Sequence, residues 1–162
     1  MPPFPILTLL NRMFTPNSIF VDSSVLIKYW KGSKTEVLES LFEPDYNSLI
    51  GHPVISEFLY HNLSIFSGKS PLTIKSNSEI GRMIARSNPS EFLSLFGYLT
   101  NYDGLQNDVI EIMSKYNLLP NDSAIIALCL HHQIFKIASF DPDFKNVCAD
   151  KGILWVSEIT QL

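Results

Sequence analysis

Four acidic residues, far apart in the chain, stand where a carboxylate can do chemistry. Asp22 closes the apolar run Ile19-Phe20-Val21, and Asp141 closes Ile137-Ala138-Ser139-Phe140. Ligands of open parallel sheets bind beyond the carboxyl ends of the strands, so these two acids face one crevice if their strands are neighbours. An aspartate after a strand also serves as a turn or cap residue, and Pro142 strengthens that alternative for Asp141. Asp122 opens an apolar helical run in which Ile125, Ile126 and Cys129 lie three, four and seven positions on. Its carboxylate therefore stands on or beside a core-facing stripe, where a charge needs a hydrogen bond, neutralisation or a cation. The helix N-terminus supplies part of that compensation, and a plain N-cap role stays open. Glu57, early in another helical run, also fits a solvated acid that complements the helix dipole. Taken together, the four acids predict an all-oxygen pocket suited to Mg²⁺ or Mn²⁺, not zinc, whose like charges repel without a cation.

These side chains need elements to hold them. The first strand is expected over 18–22, with Ser23 or Ser24 capping a helix that carries Val25, Leu26, Tyr29 and Trp30 and stops at Gly32. Helical spacing recurs over 36–42, and 47–51 reads as a short strand broken by His52-Pro53. A strong helix over 54–66 carries Glu57, with His61 one turn on. Residues 68–77 read as loop, 78–86 and 89–98 as helices, 101–104 as a turn and 109–116 as a helix. Pro120 and Asn121 start the helix of Asp122. Strands over 136–140 and 153–156 follow, separated by a short helix. Strands alternating with helices predict an α/β fold, a parallel sheet covered on both faces. The chain divides into an N-terminal extension, residues 1–17, and a single domain over 18–162.

Composition agrees with one globular domain: 162 residues, 46% hydrophobic and 17% charged. At a net charge of −4 no global positive field attracts nucleic acid, so any such contact runs through a local basic patch or a metal. Cys129 and Cys148 form no CxxC, which argues against a zinc ribbon or disulfide scaffold and fits a reducing cytoplasm. The proline-broken start at Met1-Pro2-Pro3 is a poor signal peptide, and no run reaches the ~18 apolar residues of a membrane span.

Four segments in order, Ile19-Phe20-Val21-Asp22-Ser23-Ser24, Ile55-Ser56-Glu57-Phe58, Leu118-Leu119-Pro120-Asn121-Asp122-Ser123 and Ile137 to Phe144, give the chain a likeness to a known family. It resembles the PIN-domain family, and within it the VapC-type toxin ribonucleases. The resemblance covers residues 18–156 and implies a three-layer α/β/α sandwich with Mg²⁺- or Mn²⁺-dependent cleavage of RNA. It implies catalytic roles for Asp22, Glu57, Asp122 and Asp141, and a metal held by Asp22, Asp122, Asp141 and Asp143, with Ser139 beside the last acids. It further implies a homodimer and a small antitoxin partner. The segment 65–108 is longer and less patterned than in compact members, and the N-terminal extension is unusual.

Two competing functions are a catalytically silent PIN-like module that binds RNA or protein, and a strand-end-Asp phosphatase of the haloacid-dehalogenase type. The phosphatase needs a second Asp two residues after the first, where this chain has Ser24. Lys28, Lys31, Lys34, Arg82 and Arg86 read as solvated charges that are also placed to guide RNA backbone. Adjacent His131 and His132 point apart in a helix and read as surface residues, while Tyr29 and Trp30 read as core or interface.

Overall fold

A computed structural model describes residues 16–162, so the expected extension over 1–17 lies almost wholly outside the described residues. β1 (Ser18–Val21) is buried along its length, as a central strand covered on both faces must be. Asp22 follows it in extended conformation and caps α1 (Ser23–Trp30) by accepting the Ser24 N–H. Next come α2 (Glu36–Leu41), β2 (Asn47–Gly51) and α3 (His52–Ser67), the last with Pro53 in its first turn. α4 (Pro71–Ser76), α5 (Ile80–Ser87) and α6 (Pro89–Leu93) lead to β3 (Gly97–Leu99). α7 (Leu105–Tyr116), α8 (Pro120–His131), β4 (Lys136–Ala138), α9 (Phe144–Lys151) and β5 (Leu154–Val156) complete the order before a short 3₁₀ turn at Ile159–Gln161.

The five strands form one sheet in the order β3-β2-β1-β4-β5, every pair parallel. The chain builds outward from β1 to β3 on one side, then returns to place β4 on the other. Right-handed crossovers running in opposite directions put helices on opposite faces, which gives the predicted three-layer α/β/α arrangement. The reversal makes the gap between β1 and β4 the switch point, where a crevice opens at the strands' carboxyl ends. Among the described residues no helix is long and apolar enough to cross a membrane.

The core gathers Ile19, Phe20 and Val21 with Leu49, Val54, Phe58, Ile126 and Ile137, all buried. α3 and α8 pack on each other, which brings the helices of Glu57 and Asp122 together. Gly51, the last residue of β2, permits the approach: a Cβ there would lie 2.9 Å from Leu128 Cδ1 of α8.

Two segments differ from expectation. Residues 71–76 form a helix, not a loop, because Ser70 caps it by accepting the Thr73 N–H at 3.2 Å. The helix expected over 89–98 stops at Leu93, and the chain extends into β3 at the sheet edge. Gly97 faces Leu49 so closely that a Cβ would stand 2.7 Å from its Cδ2, so strand pairing overrides the helical apolar spacing.

Candidate metal centre

Asp22 is held more tightly than any other acid of the group. It is 3% exposed, and Oδ2 accepts the Ser24 N–H at 3.2 Å, the Ser24 hydroxyl at 2.6 Å and the Ser139 hydroxyl at 2.8 Å. Among the described residues Oδ1 accepts only the Ser23 hydroxyl, at 3.3 Å. Three donors fix one oxygen and leave the other with spare coordination capacity. A buried carboxylate so bonded keeps its charge at tolerable cost.

The same hydroxyls organise the loop after β4. Each has spent its proton on Asp22, so each is left as an acceptor: Ser24 Oγ takes the Phe140 N–H and Ser139 Oγ the Asp141 N–H, both at 3.0 Å. Ser139 is itself pinned, its N–H donating to the Val156 carbonyl and its own carbonyl accepting the Trp155 indole N–H at 3.0 Å. The Asp22 N–H donates to the Ala138 carbonyl at 2.9 Å, which sets Asp22 beside Ser139 across the β1–β4 pairing. Ser24, read from sequence only as a cap, thus ties both acid-bearing loops together. Its signal was available, a hydroxyl two residues after a strand-end aspartate, the spacing of an Asx turn.

Asp141 is half-buried and does serve as a turn residue, its Oδ1 accepting the Asp143 N–H at 2.9 Å. That occupies one oxygen and leaves the other. Asp143 is exposed at the start of α9, and Glu57 is half-buried on α3. Asp122, the third residue of α8, is half-buried. Its carboxyl is pushed up to about 7, chiefly by burial and then by the negative charges of Asp22, Asp141, Glu57 and Asp143. All five acids therefore share one electrostatic neighbourhood. Among the described residues, however, no three acidic, histidine or cysteine side chains are gathered tightly enough to hold an ion as they are placed.

The donor set fits a hard divalent cation. Its atoms are carboxylate oxygens, with hydroxyls in support, and Mg²⁺ is held through one or two carboxylates with waters retained. A doubly positive ion among these acids would offset the charge that raises Asp122.

The other charged candidates lie elsewhere. Arg82 pairs with Glu79 at 2.8 Å and so does Lys69 at 3.1 Å, a solvated surface group. His131 is exposed and stacks on Tyr102, and His132 Nε2 contacts the Thr100 carbonyl at 2.9 Å. Trp30 stands against Phe58, Phe66 and Phe92 in an aromatic cluster of the core. Lys34, one of the three early lysines, sets its ammonium 5.0 Å from the Phe140 ring centroid.

Known proteins are similar to this chain in sequence and in fold. The sequence matches the family model for the PIN domain over residues 19–150. It is 34% identical over 133 residues to Ribonuclease VapC2 of Methanocaldococcus jannaschii, covering 81% of this chain and 89% of that protein. It is 29% identical over 147 residues to Ribonuclease VapC6 of the same organism, covering 82% and 94%. The fold superposes on VapBC2 from Rickettsia felis, solved bound to a DNA fragment from its promoter, with a TM-score of 0.59 at 12% identity over 86% of this chain and 97% of that one. The ordered acids, the all-parallel sheet with its switch point at Asp22, and these matches lead to one conclusion: the chain belongs to the PIN-domain family.

Proposed function

We propose that the protein is a ribonuclease that hydrolyses RNA phosphodiester bonds with bound Mg²⁺ or Mn²⁺, and that it acts as the toxin of a toxin–antitoxin pair. One observation carries the metal-dependent part. The half-buried Asp122 carboxyl is pushed up to about 7 by burial and by four neighbouring acids, a crowding of negative charge that a divalent cation would offset. The relatives named Ribonuclease VapC2 and VapC6 support the choice of RNA as substrate.

Asp22 through Oδ1, Asp122, and Asp141 with Asp143 would hold the ion, and Glu57 would act as a further ligand or as a base toward water. The bound ion supplies an activated water and stabilises charge on the phosphate and the leaving oxygen. Ser24 and Ser139 are positioning residues. They hold Asp22 Oδ2 and the Asp141 backbone in one network, so the two acids keep a fixed relation without rearranging during turnover. Carboxylates alone repel a phosphate, so cleavage depends on added cation.

A small antitoxin protein and a homodimer complete the proposal; likeness to VapBC2 supports the antitoxin. Residues 18–162 act as one domain, with 1–17 an extension. The buried free thiols of Cys129 and Cys148 suit a cytoplasmic protein. Incubating a labelled single-stranded RNA with the protein in chelator, then adding MnCl₂, tests the assignment. Cleavage that appears only with metal supports it. Chelator-resistant cleavage, or none at all, contradicts it.

A further inference from the structure

A cavity of about 540 Å³ is lined by Lys34, Glu36, Phe140, Trp155, Ser157 and Glu158, and Phe140 directly precedes Asp141 in the chain. Hydrogen bonds tie two of its lining residues to the candidate metal centre. Phe140 stands between Ser139 and Asp141 and gives its N–H to Ser24 Oγ, which bonds Asp22. Trp155 gives its indole N–H to the Ser139 carbonyl, so its ring is fixed relative to the same serine. Both aromatic side chains are half-buried, with ring surface left for a ligand. Lys34 has φ +49°, a left-handed conformation that L residues rarely adopt, and its ammonium sits 5.0 Å from the Phe140 ring centroid.

We propose that this cavity is a nucleotide subsite, taking one unpaired base of the RNA next to the bond to be cut. The proposal rests on the ribonuclease assignment. The base packs against Phe140 and Trp155, since any base offers a π-face to an aromatic ring. Lys34 meets the adjoining phosphate with a positive charge. Glu36 and Glu158 put carboxylate acceptors on the rim. Acceptors favour a base edge bearing an exocyclic amino group, so adenine, cytosine and guanine bind better than uracil.

Tryptophan fluorescence tests this on the full chain in chelator, titrated separately with AMP, CMP, GMP and UMP. Quenching is expected with the first three and is several-fold weaker with UMP. It disappears in Trp155→Phe, whose fold is checked by circular dichroism. Phe140→Leu and the exposed Lys34→Ala each weaken nucleotide binding by roughly 5-fold or more, the low end of a base–aromatic stack. In RNA cleavage the same two substitutions raise KM and leave kcat within about 2-fold, because they act on binding. If RNA is cleaved but no nucleotide quenches and neither KM moves, the subsite is overturned and the ribonuclease assignment stands. If an arginine-containing peptide quenches and no nucleotide does, the cavity takes a protein segment and the proposal is overturned. If the parent cuts no RNA with Mg²⁺ or Mn²⁺, the ribonuclease assignment fails instead, and nucleotide quenching alone decides the cavity.

Discussion

The Ser139 hydroxyl donates to Asp22 Oδ2 at 2.8 Å across the β1–β4 pairing, and its oxygen accepts the Asp141 N–H at 3.0 Å. One fully buried side chain thus fixes two acids from different strands. Ser139→Ala removes a hydrogen bond to a charged group, which contributes about 1.5–3 kcal/mol, and leaves the Asp141 N–H without its acceptor. Cleavage is expected to fall ~10-fold or more, with Ser139→Thr restoring most of it. Steady-state kinetics of the two variants check this; an Ala variant as active as the parent contradicts the positioning role.

Asp122→Asn removes a carboxylate that four other acids oppose. The metal-free protein gains roughly 1 kcal/mol, a figure kept small because the group is half-exposed and screened. Melting curves with and without Mn²⁺ read both consequences: a higher Tm in chelator and a smaller upward shift on adding metal.

The pH dependence of the metal-free protein follows from the same group. Its folded-state pKa, about 7, lies above the ordinary 3.8, so between those values the folded chain binds more protons than the unfolded one. The contribution of Asp122 to stability is fully present below about pH 3.8 and is lost as pH rises through 7. The Tm gap between Asp122→Asn and the parent in chelator therefore widens from pH 5 to about pH 7.5 and then levels. A gap independent of pH contradicts the assigned environment.

Gly51→Ala places a methyl 2.9 Å from Leu128 Cδ1, between the β2 end and α8. Overpacking of this kind costs about 1–3 kcal/mol. Urea unfolding is expected to show a lower midpoint with an unchanged m value.

The strands that carry the site were legible because their chemistry is local. Ile19 to Val21 and Ile137 to Ala138 are apolar runs that end in polar residues, and both form strands where expected. Asp122 was legible from its helical stripe, and burial is the first cause of its raised pKa. β3 was not legible, since Phe92, Leu93 and Phe96 carry helical spacing up to a strand only three residues long. Its identity comes from pairing with β2 and from the room that Gly97 leaves Leu49, a relation between residues about fifty apart. The bond from the Phe140 N–H to Ser24 Oγ was hidden for the same reason: its partners lie 116 positions apart, and no pattern in either segment names the other. α4 was a missed local signal, Ser70-Pro71, where a cap and a first-turn proline mark a helix start.

Asp22 is the acid on which the metal site is built, and its replacement is the most direct test. Asp22→Asn keeps an acceptor for the surrounding hydroxyls but loses the charge that would bind the cation. Mn²⁺-dependent cleavage of a single-stranded RNA by the purified variant, with its fold verified by circular dichroism, is expected to drop ~100-fold or more. Cleavage equal to that of the parent would contradict a metal-dependent ribonuclease centred on Asp22.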